Sequence, residues 1–313
     1  MMCNIWKKTE LFEFNINIID KLPRSLRSIT LTGGEPFLNS DLPLIVRKIK
    51  KQCPRARIVI PTNGMLTETI FEATQTIIKI DPNIAIRISL DGIGNIHDRV
   101  RGIPDAYEMA ISTLKLLKSI PVRDLGITFV ATPINTHQLL MTYNLSLREH
   151  IQFNCLVAHT SEFYYMKQND NSFLKSTTFF DDLEKVVISQ LRSFKPYDLF
   201  KAYYHNSLRD FALYSKMSYP CQAGELFSYV DTKGIVYPCH LRNERMGDLK
   251  SSTIESIWAS EGANVVRSRI SGCKGCSLIR NVAPVIKLKP YAALLWIFKN
   301  KLRAHLNQKI FVD

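Results

Sequence analysis

The sequence lacks the features of an exported or membrane-spanning protein. No stretch approaches the roughly 20 consecutive apolar residues that cross a bilayer. The chain does not open with a charged segment followed by an apolar one, so it has no signal-peptide pattern. We therefore expect a cytoplasmic protein. Its 313 residues are enough for one large domain and a smaller one.

Acidic residues are absent from a long segment near the end of the chain. Residues 267–309 contain no Asp or Glu, and the whole chain has a formal net charge of +13. The basic residues of this segment are Arg267, Arg269, Lys274, Arg280, Lys287, Lys289, Lys299, Lys301, Arg303 and Lys309. The imbalance indicates either a basic solvated surface or an anionic partner, for which a membrane surface or an acidic substrate is favoured. Because no aromatic RNA-binding pattern accompanies the charge, we expect no nucleic acid partner.

The chain contains seven cysteines, an odd number in a sequence without an export signal. Metal ligands and buried thiols are then better interpretations than disulfides. Cys53 follows a predicted helix and Cys155 lies in a predicted strand, so we expect both to be buried thiols. The candidate ligands belong to a turn-rich region and are Cys221, Cys239, Cys273 and Cys276. On chemistry alone, four cysteines permit an iron–sulfur cluster or a zinc site.

Apolar strands alternate with helices over residues 10–159. The predicted strands are 28–32, 57–61, 84–90, 126–131 and 153–159, and the predicted helices are 10–21, 41–52, 68–80, 107–119 and 136–149. This spacing is typical of parallel βα units, which occur in open sheets and in closed barrels. Residues 177–216 are predicted to be helical and to join this part to the rest.

Three polar motifs begin where predicted strands end. They are Gly33-Gly34-Glu35-Pro36, Thr62-Asn63-Gly64 and Asp91-Gly92. Ordinary turn chemistry would explain any one of them. However, βα proteins bind ligands at the C-terminal ends of their strands, so the three together predict a ligand site there.

Residues 290–307 are predicted to form an amphipathic helix. Its apolar stripe has helical spacing and consists of Tyr291, Leu294, Leu295, Phe298, Leu302 and Leu306. We expect this stripe to pack on the core of its own domain, since most such stripes do. Contact with a membrane surface is the alternative.

The order of these motifs resembles that of the radical S-adenosylmethionine (SAM) superfamily. Cys3 is similar to the last cysteine of the family's Cys-x-x-x-Cys-x-x-Cys motif, and residues 31–38 (LTGGEPFL) are similar to its glycine-rich motif. Residues 89–92 (SLDG), followed by Arg101, are similar to a third motif. The resemblance implies an α/β fold, a partial (β/α)6 TIM-like barrel with a small cysteine-rich C-terminal extension. It also implies SAM and a [4Fe–4S] cluster as cofactors.

The resemblance assigns roles to individual residues. It places Gly33, Gly34 and Glu35 beside the SAM amino group, and Ser89 at the ribose or carboxylate end. Arg101 would pair with the SAM carboxylate, while Thr62 and Asn63 would line the same face. Cys3 would be a cluster ligand. No acid–base residue is assigned: Asp91, His97 and His240 are candidates, and we expect structural roles for them.

The sequence departs from the family pattern at its first residues. The other two cysteines of the cluster motif would lie upstream of Met1, and one thiolate cannot hold the cluster by itself. Either the protein starts further upstream or it is a non-catalytic relative that binds SAM or a partner. We expect the first, because the SAM-contact residues downstream are intact.

The region from Cys221 to Cys276 resembles the SPASM or shorter "twitch" extension of radical SAM enzymes. No cysteine follows Cys276, so one auxiliary iron–sulfur cluster is expected, with a zinc-stabilised interaction protein as the alternative. The resulting division is a core barrel at 1–216, with a helical linker at about 177–216, an auxiliary cluster domain at 217–285 and a basic amphipathic helix at 286–313. The implied partners are an unidentified substrate (a peptide, or a small or lipid-linked molecule), an electron donor such as flavodoxin or ferredoxin, and a membrane surface contacted peripherally through the basic tail.

Overall fold

The computed structural model describes residues 4–5, 14–159, 161–166, 177–214, 219–273 and 276–311. Within these ranges, five parallel strands form one sheet in the order β1-β2-β3-β4-β5. The strands are β1 (Ser28–Thr30), β2 (Arg57–Thr62), β3 (Ala85–Ser89), β4 (Asp124–Ala131) and β5 (Gln152–Val157). This sequential order is that of an open half-barrel, so the predicted α/β partial barrel is confirmed.

Helices follow the first four strands and cover the outer face of the sheet. They are α1 (Leu42–Gln52), α2 (Thr67–Ile80), α3 (Asn95–Arg101), α4 (Ala106–Lys118) and α5 (Leu139–Arg148), with short 3-10 helices at Pro36–Leu38 and Thr136–Gln138. α1 shows why they pack: its apolar residues recur at i, i+3, i+4 and i+7 and are buried at Leu42, Ile45, Val46 and Ile49. They meet isoleucine-rich strands whose side chains form the continuous core of the barrel.

The helix predicted at residues 10–21 is wrong in its described part. Residues 6–13 lie outside the described ranges, and Ile16–Lys21 form a 3-10 helix. Asn15 accepts a hydrogen bond from the Asn17 backbone N–H through its side chain (3.0 Å). Such local hydrogen bonding competes with α-helix formation. The β-branched isoleucines that follow also have a low α-helix propensity.

Two long helices cover the last strand of the sheet. A single turn, α6 (Glu162–Tyr165), is followed by α7 (Thr177–Arg192) and α8 (Pro196–Tyr214). The Tyr204 hydroxyl donates to the Cys155 carbonyl oxygen (2.9 Å), and His205 Nε2 accepts from the Cys155 N–H (3.1 Å). The predicted helical linker at residues 177–216 therefore packs against the sheet of the barrel. Cys155 and Cys53 are both fully buried, as expected.

A smaller unit follows the barrel. It contains a three-stranded antiparallel sheet with β6 (Tyr229–Val230), β7 (Ile235–Tyr237) and β8 (Gly247–Asp248), and the helices α9 (Ile254–Ala259) and α10 (Glu261–Ile270). Its small core includes Val236, Met246, Leu249 and Ile257, together with Ile18 from the beginning of the barrel. Gly234 has φ +91°, and a Cβ there would come within 2.9 Å of Ile18 Cδ1. The positive φ at this turn therefore favours glycine, and the absence of a Cβ also leaves room for the Ile18 side chain.

The last two helices return to the barrel, as α11 (Ile279–Leu288) and α12 (Pro290–His305). α12 buries Ala293, Ile297, Asn300 and Ala304, and its apolar residues pack against α7 and α8. The predicted apolar stripe lies on the opposite side and is exposed. The expectation that it packs on the core is wrong, because the small alanines of the other face permit the closer helix contact.

A glycine in β4 provides a test of the tight strand packing. In Gly126→Ala, the new Cβ would stand 2.6 Å from the Gln152 carbonyl oxygen of β5. We expect the free energy of unfolding to fall by about 1–3 kcal/mol, measured by chemical denaturation. The control is Gly262→Ala in α10, where the Cβ would meet only Ser260 Oγ at 3.9 Å. Equal stability of the two variants would contradict this packing.

Candidate active site

The predicted polar motifs come together at the C-terminal edge of the sheet. Glu35, after β1, accepts a hydrogen bond from the backbone N–H of Asn63, after β2, through Oε2 (2.7 Å). Its Oε1 accepts from the Phe37 N–H (3.2 Å). Burial raises the pKa of Glu35, and these hydrogen bonds partly offset the effect. Glu35 thus joins two of the three motifs, and this carboxylate holds the loop backbones in place.

The glycine pair before Glu35 borders open space. Apart from the adjacent residues of the chain, no described residue has an atom within 4 Å of the position that a Cβ would occupy at Gly33 or at Gly34. Gly64, in the next motif, is different: its φ is +77°, and a Cβ would stand 3.1 Å from Ala110 Cα. Gly64 therefore serves the fold, whereas Gly33 and Gly34 leave room for a ligand to approach the backbone.

A buried ion pair lies after β3. Asp91 is fully buried, and its Oδ2 lies 2.6 Å from Arg101 Nη2 of α3. Its Oδ1 accepts from the Val130 N–H (2.8 Å), which connects it to β4. Burial raises the pKa of Asp91, and the Arg101 guanidinium partly offsets the effect. The arginine assigned to SAM by resemblance therefore also stabilises a carboxylate of the protein.

His97 completes this network as a neutral ring. Its Nδ1 accepts from the Asp91 N–H (2.9 Å). Burial, followed by the nearby Arg101 charge, lowers the pKa of His97 to about 3. A histidine with that pKa stays neutral at physiological pH, so its observed role is structural.

Two residues that the sequence reasoning did not select brace the same edge. Asn135, fully buried, donates from Nδ2 to the carbonyl oxygens of Asp91 and Val130 (both 2.9 Å). Gln138 accepts from the Ile93 N–H (3.1 Å). The available signal was their position close after the predicted strand 126–131, at the start of the helix predicted at 136–149. Thr62 is also buried, and its Oγ1 accepts from the Gly64 N–H (3.1 Å). Ser89 ends β3 and is half-buried.

Cys3 lies outside the described residues, but Asn4 is described. The Asn4 backbone N–H donates to the Tyr165 carbonyl oxygen (2.8 Å), and its side chain donates to the Met166 carbonyl oxygen (3.2 Å). The Tyr165 ring lies 6.1 Å from that of His240, the residue after Cys239. Asn4 therefore lies near the cysteine-rich unit.

The four downstream cysteines interact with one another. The Cys273 side chain, through a hydrogen bond, and then burial raise the pKa of Cys221. Burial and the nearby Cys276 and Cys273 raise the pKa of Cys239 to about 11. Thiols this close in space suit a shared metal or cluster, whose binding would displace their protons. Within the described ranges, however, no three ligand side chains already have metal-site geometry.

Ser277, next to Cys276, connects this unit to the barrel. Its Oγ accepts from the Val157 N–H at the end of β5 (3.2 Å) and lies 2.8 Å from His159 Nε2. Its carbonyl oxygen accepts from the Tyr204 hydroxyl (2.5 Å). All of these groups are buried, so the last cysteine is held at the same edge of the sheet as the polar motifs.

Comparison with known proteins agrees with this arrangement. The family model of the radical SAM superfamily matches residues 7–145, and that of SPASM, an iron–sulfur cluster-binding domain, matches residues 221–277. The chain belongs to the radical SAM superfamily and is an enzyme of that superfamily. Within it, the protein is of the type that carries a SPASM domain.

Individual relatives are distant. An AdoMet-dependent heme synthase of Methanosarcina barkeri is 22% identical over 85% of this chain and 78% of its own length. A pre-heme d1 synthase of Dinoroseobacter shibae is 32% identical, over 36% of this chain and 26% of its own length, so the chain spans only part of it. Streptococcus suis SuiB bound to SAM has a similar fold, with a TM-score of 0.59, 15% identity, and 90% of this chain and 68% of SuiB covered.

The superfamily uses SAM and a [4Fe–4S] cluster, and SPASM domains bind auxiliary iron–sulfur clusters. The described residues fit SAM: open space borders Gly33 and Gly34, and Arg101 Nε is buried without a hydrogen-bond partner among the described residues. Four thiols fit an auxiliary cluster. For the first cluster, the resemblance assigns only Cys3, which lies outside the described residues.

The Asp91–Arg101 pair yields a pH-dependent prediction. Arg101→Met leaves the buried carboxylate without its cation, so we expect a loss of about 3–5 kcal/mol in unfolding free energy at neutral pH. Losing the cation raises the folded-state pKa of Asp91 further above 3.8, the ordinary value of Asp. Stability is therefore retained at low pH and lost as the pH rises through the folded pKa.

Denaturation at pH 5 and pH 8 checks this. The loss should be smaller at the lower pH, and adding Asp91→Asn should recover part of it. The matched control is Arg148→Met, whose side chain is 74% exposed and lies 3.6 Å from Glu149, and which should cost no more than about 1 kcal/mol. A pH-independent loss in Arg101→Met would contradict the assigned ion pair.

Proposed function

We propose that this protein cleaves SAM reductively and uses the resulting 5′-deoxyadenosyl radical to abstract a hydrogen atom from a substrate. The observation that carries the proposal is the convergence of the glycine pair, Glu35 and the Asp91–Arg101 network at one edge of the sheet. That edge also receives Ser277 and the cysteine next to it. An electron entering the carbon–sulfur bond of SAM gives methionine and the radical, which takes hydrogen from a C–H bond to give 5′-deoxyadenosine and a substrate radical.

The protein's own part in this chemistry is to bind and orient. Gly33 and Gly34 let the loop backbone approach the methionine part of SAM closely. Glu35 keeps that loop aligned with Asn63, so the two loops present one surface. Ser89 and Arg101 would contact the ribose and carboxylate end. Since Asp91 already orients the guanidinium, the Nε of Arg101 remains available to an anionic group.

The downstream cysteines would hold one auxiliary iron–sulfur cluster. Cys221, Cys239, Cys273 and Cys276 supply four thiolates, which is enough for one [4Fe–4S] cluster. Ser277 holds the last of them against β5, and Asn4 donates to the Tyr165 carbonyl oxygen near His240. The substrate would then bind between the two cofactor sites.

We infer that the substrate is an anionic or lipid-linked small molecule. A flavodoxin or ferredoxin would supply the electron. The acid-free, basic C-terminal segment supports this choice. The curated relatives include a heme synthase and a pre-heme d1 synthase, and SuiB has also been solved with its precursor peptide SuiA. A peptide substrate is therefore the competing outcome of a substrate screen.

SAM binding tests the glycine pair. The double variant Gly33→Ala/Gly34→Ala should keep the fold, because no described residue beyond the chain neighbours would touch the added methyl groups. It should weaken SAM binding about tenfold by filling the ligand space. Calorimetry on the anaerobically reconstituted protein measures this. Gly262→Ala is the control. Unchanged SAM affinity in the double variant would remove the glycines from the site.

Metal analysis tests the cysteine assignment and the activity. After anaerobic reconstitution we expect about four irons from the auxiliary site. The iron should be lost in Cys276→Ala but kept in Cys53→Ala, because the Cys53 thiol is buried and donates to the Pro23 carbonyl oxygen. A form extended upstream through two further cysteines should gain about four irons and release 5′-deoxyadenosine from SAM on reduction. Zinc without iron in both forms would leave a non-catalytic binding protein.

A further inference from the structure

The exposed side of α12 is an unusual surface. Its stripe residues are between 49% and 84% exposed, and they are Tyr291, Leu294, Leu295, Phe298, Leu302 and Leu306. Phe194, in the turn between α7 and α8, is 84% exposed and lies beside the helix, with its ring 6.2 Å from that of His305. The stripe and Phe194 together form an apolar face, and a shallow groove of about 480 Å³ opens on it. Contiguous apolar surface of this kind marks a site of interaction.

The helix that carries the apolar face is firmly attached to the barrel. Lys301 Nζ donates to the carbonyl oxygens of Leu191 (2.8 Å) and Ser193 (2.6 Å), at the end of α7. In return, Arg192 Nε donates to the Ala304 carbonyl oxygen (2.9 Å) near the end of α12. These contacts satisfy carbonyl groups that helix ends leave unpaired. They hold the buried side of α12 against the barrel, so the opposite side stays turned outward.

Positive charge surrounds the apolar face. Lys287, Lys289, Lys299 and Lys309 are exposed. At about 3.6 residues per turn, Lys299 borders one edge of the stripe, whereas Lys301 at the other edge is half-buried and bonded to the carbonyl groups at the end of α7. The chain has no Asp or Glu between Glu261 and Asp313, so no acid of this segment offsets the charge. Apolar residues bordered by lysines are complementary to a bilayer with anionic headgroups.

We propose that the apolar face of α12 docks the enzyme on an anionic membrane surface. The stripe and Phe194 enter the boundary between headgroups and acyl chains, while Lys299 and the other exposed lysines of the segment contact lipid phosphates. None of the helices in the described ranges has the length and apolar content of a transmembrane span, so the helix lies in the interface plane. Docking would place the enzyme where lipid-linked molecules occur. This part of the inference rests on the proposed function, which includes a lipid-linked substrate.

Vesicle co-sedimentation of the whole protein, without SAM, tests the docking. We expect binding to vesicles of phosphatidylcholine mixed with phosphatidylglycerol, and little binding to phosphatidylcholine alone. High salt should weaken it, because the lysine contacts are screened. The variant Leu295→Ser/Phe298→Ser should reduce vesicle binding about tenfold or more, since both side chains would lose their burial in lipid. Its thermal unfolding should be unchanged, since both residues are exposed in the protein.

The control variant is Met141→Ser/Leu147→Ser on α5, whose side chains are exposed but lie outside the apolar face. It should bind vesicles as the unchanged protein does. Absence of binding to anionic vesicles, or equal binding by the α12 variant, overturns the proposal. So does a dimer that ignores vesicles and becomes a monomer in Leu295→Ser/Phe298→Ser, because a second copy then covers the face. Cleavage of SAM is measured without lipid, so failure of docking and failure of the radical chemistry are separate results.

Discussion

The buried carboxylate of Asp91 is the constraint on which the candidate site depends. It receives the Arg101 guanidinium from α3 and the Val130 N–H from β4, and its own backbone N–H donates to His97. The Asp91 loop and helix α3, which follows it, are thereby held against the more distant strand β4 at one edge of the sheet. A buried charge is costly unless it is paired and hydrogen-bonded, so these contacts must form together. The open space beside Gly33 and Gly34 lies at the same C-terminal edge of the sheet.

Attachment of the cysteine-rich unit depends on similar buried hydrogen bonds. Tyr204 donates to the carbonyl oxygens of both Cys155 and Ser277, which joins the middle of β5 to the residue after the last cysteine. Asn4 bonds to the Tyr165 carbonyl oxygen close to His240. These contacts hold Ser277, and with it the cysteine-rich unit, at the edge of the sheet where the polar motifs lie.

Much of the fold could be predicted because strand and helix periodicities are local. All five strands lie close to their predicted positions, and so do α1, α2, α4 and α5, whereas the short helix α3 was not predicted. The 3-10 helix at Ile16–Lys21 was missed, because asparagine side chains bond locally there. Asn135 and Gln138 were also missed, since a buried polar side chain has no distinctive sequence pattern. The prediction that the α12 stripe packs on the core was wrong, because residue spacing identifies an apolar face but not what that face contacts.

By itself, the sequence determined the order of strands and helices, the polar motifs at the strand ends and the set of cysteines available to a cluster. These follow from residue type and spacing along the chain. Only the tertiary structure decided that Arg101 is already paired with Asp91, that α7 and α8 wall the barrel, and that α12 turns its large apolar residues outward. The physical reason is that packing selects among faces and partners by shape. On α12, the small side with Ala293 and Ala304 fits closely against neighbouring helices, which leaves the bulkier side exposed.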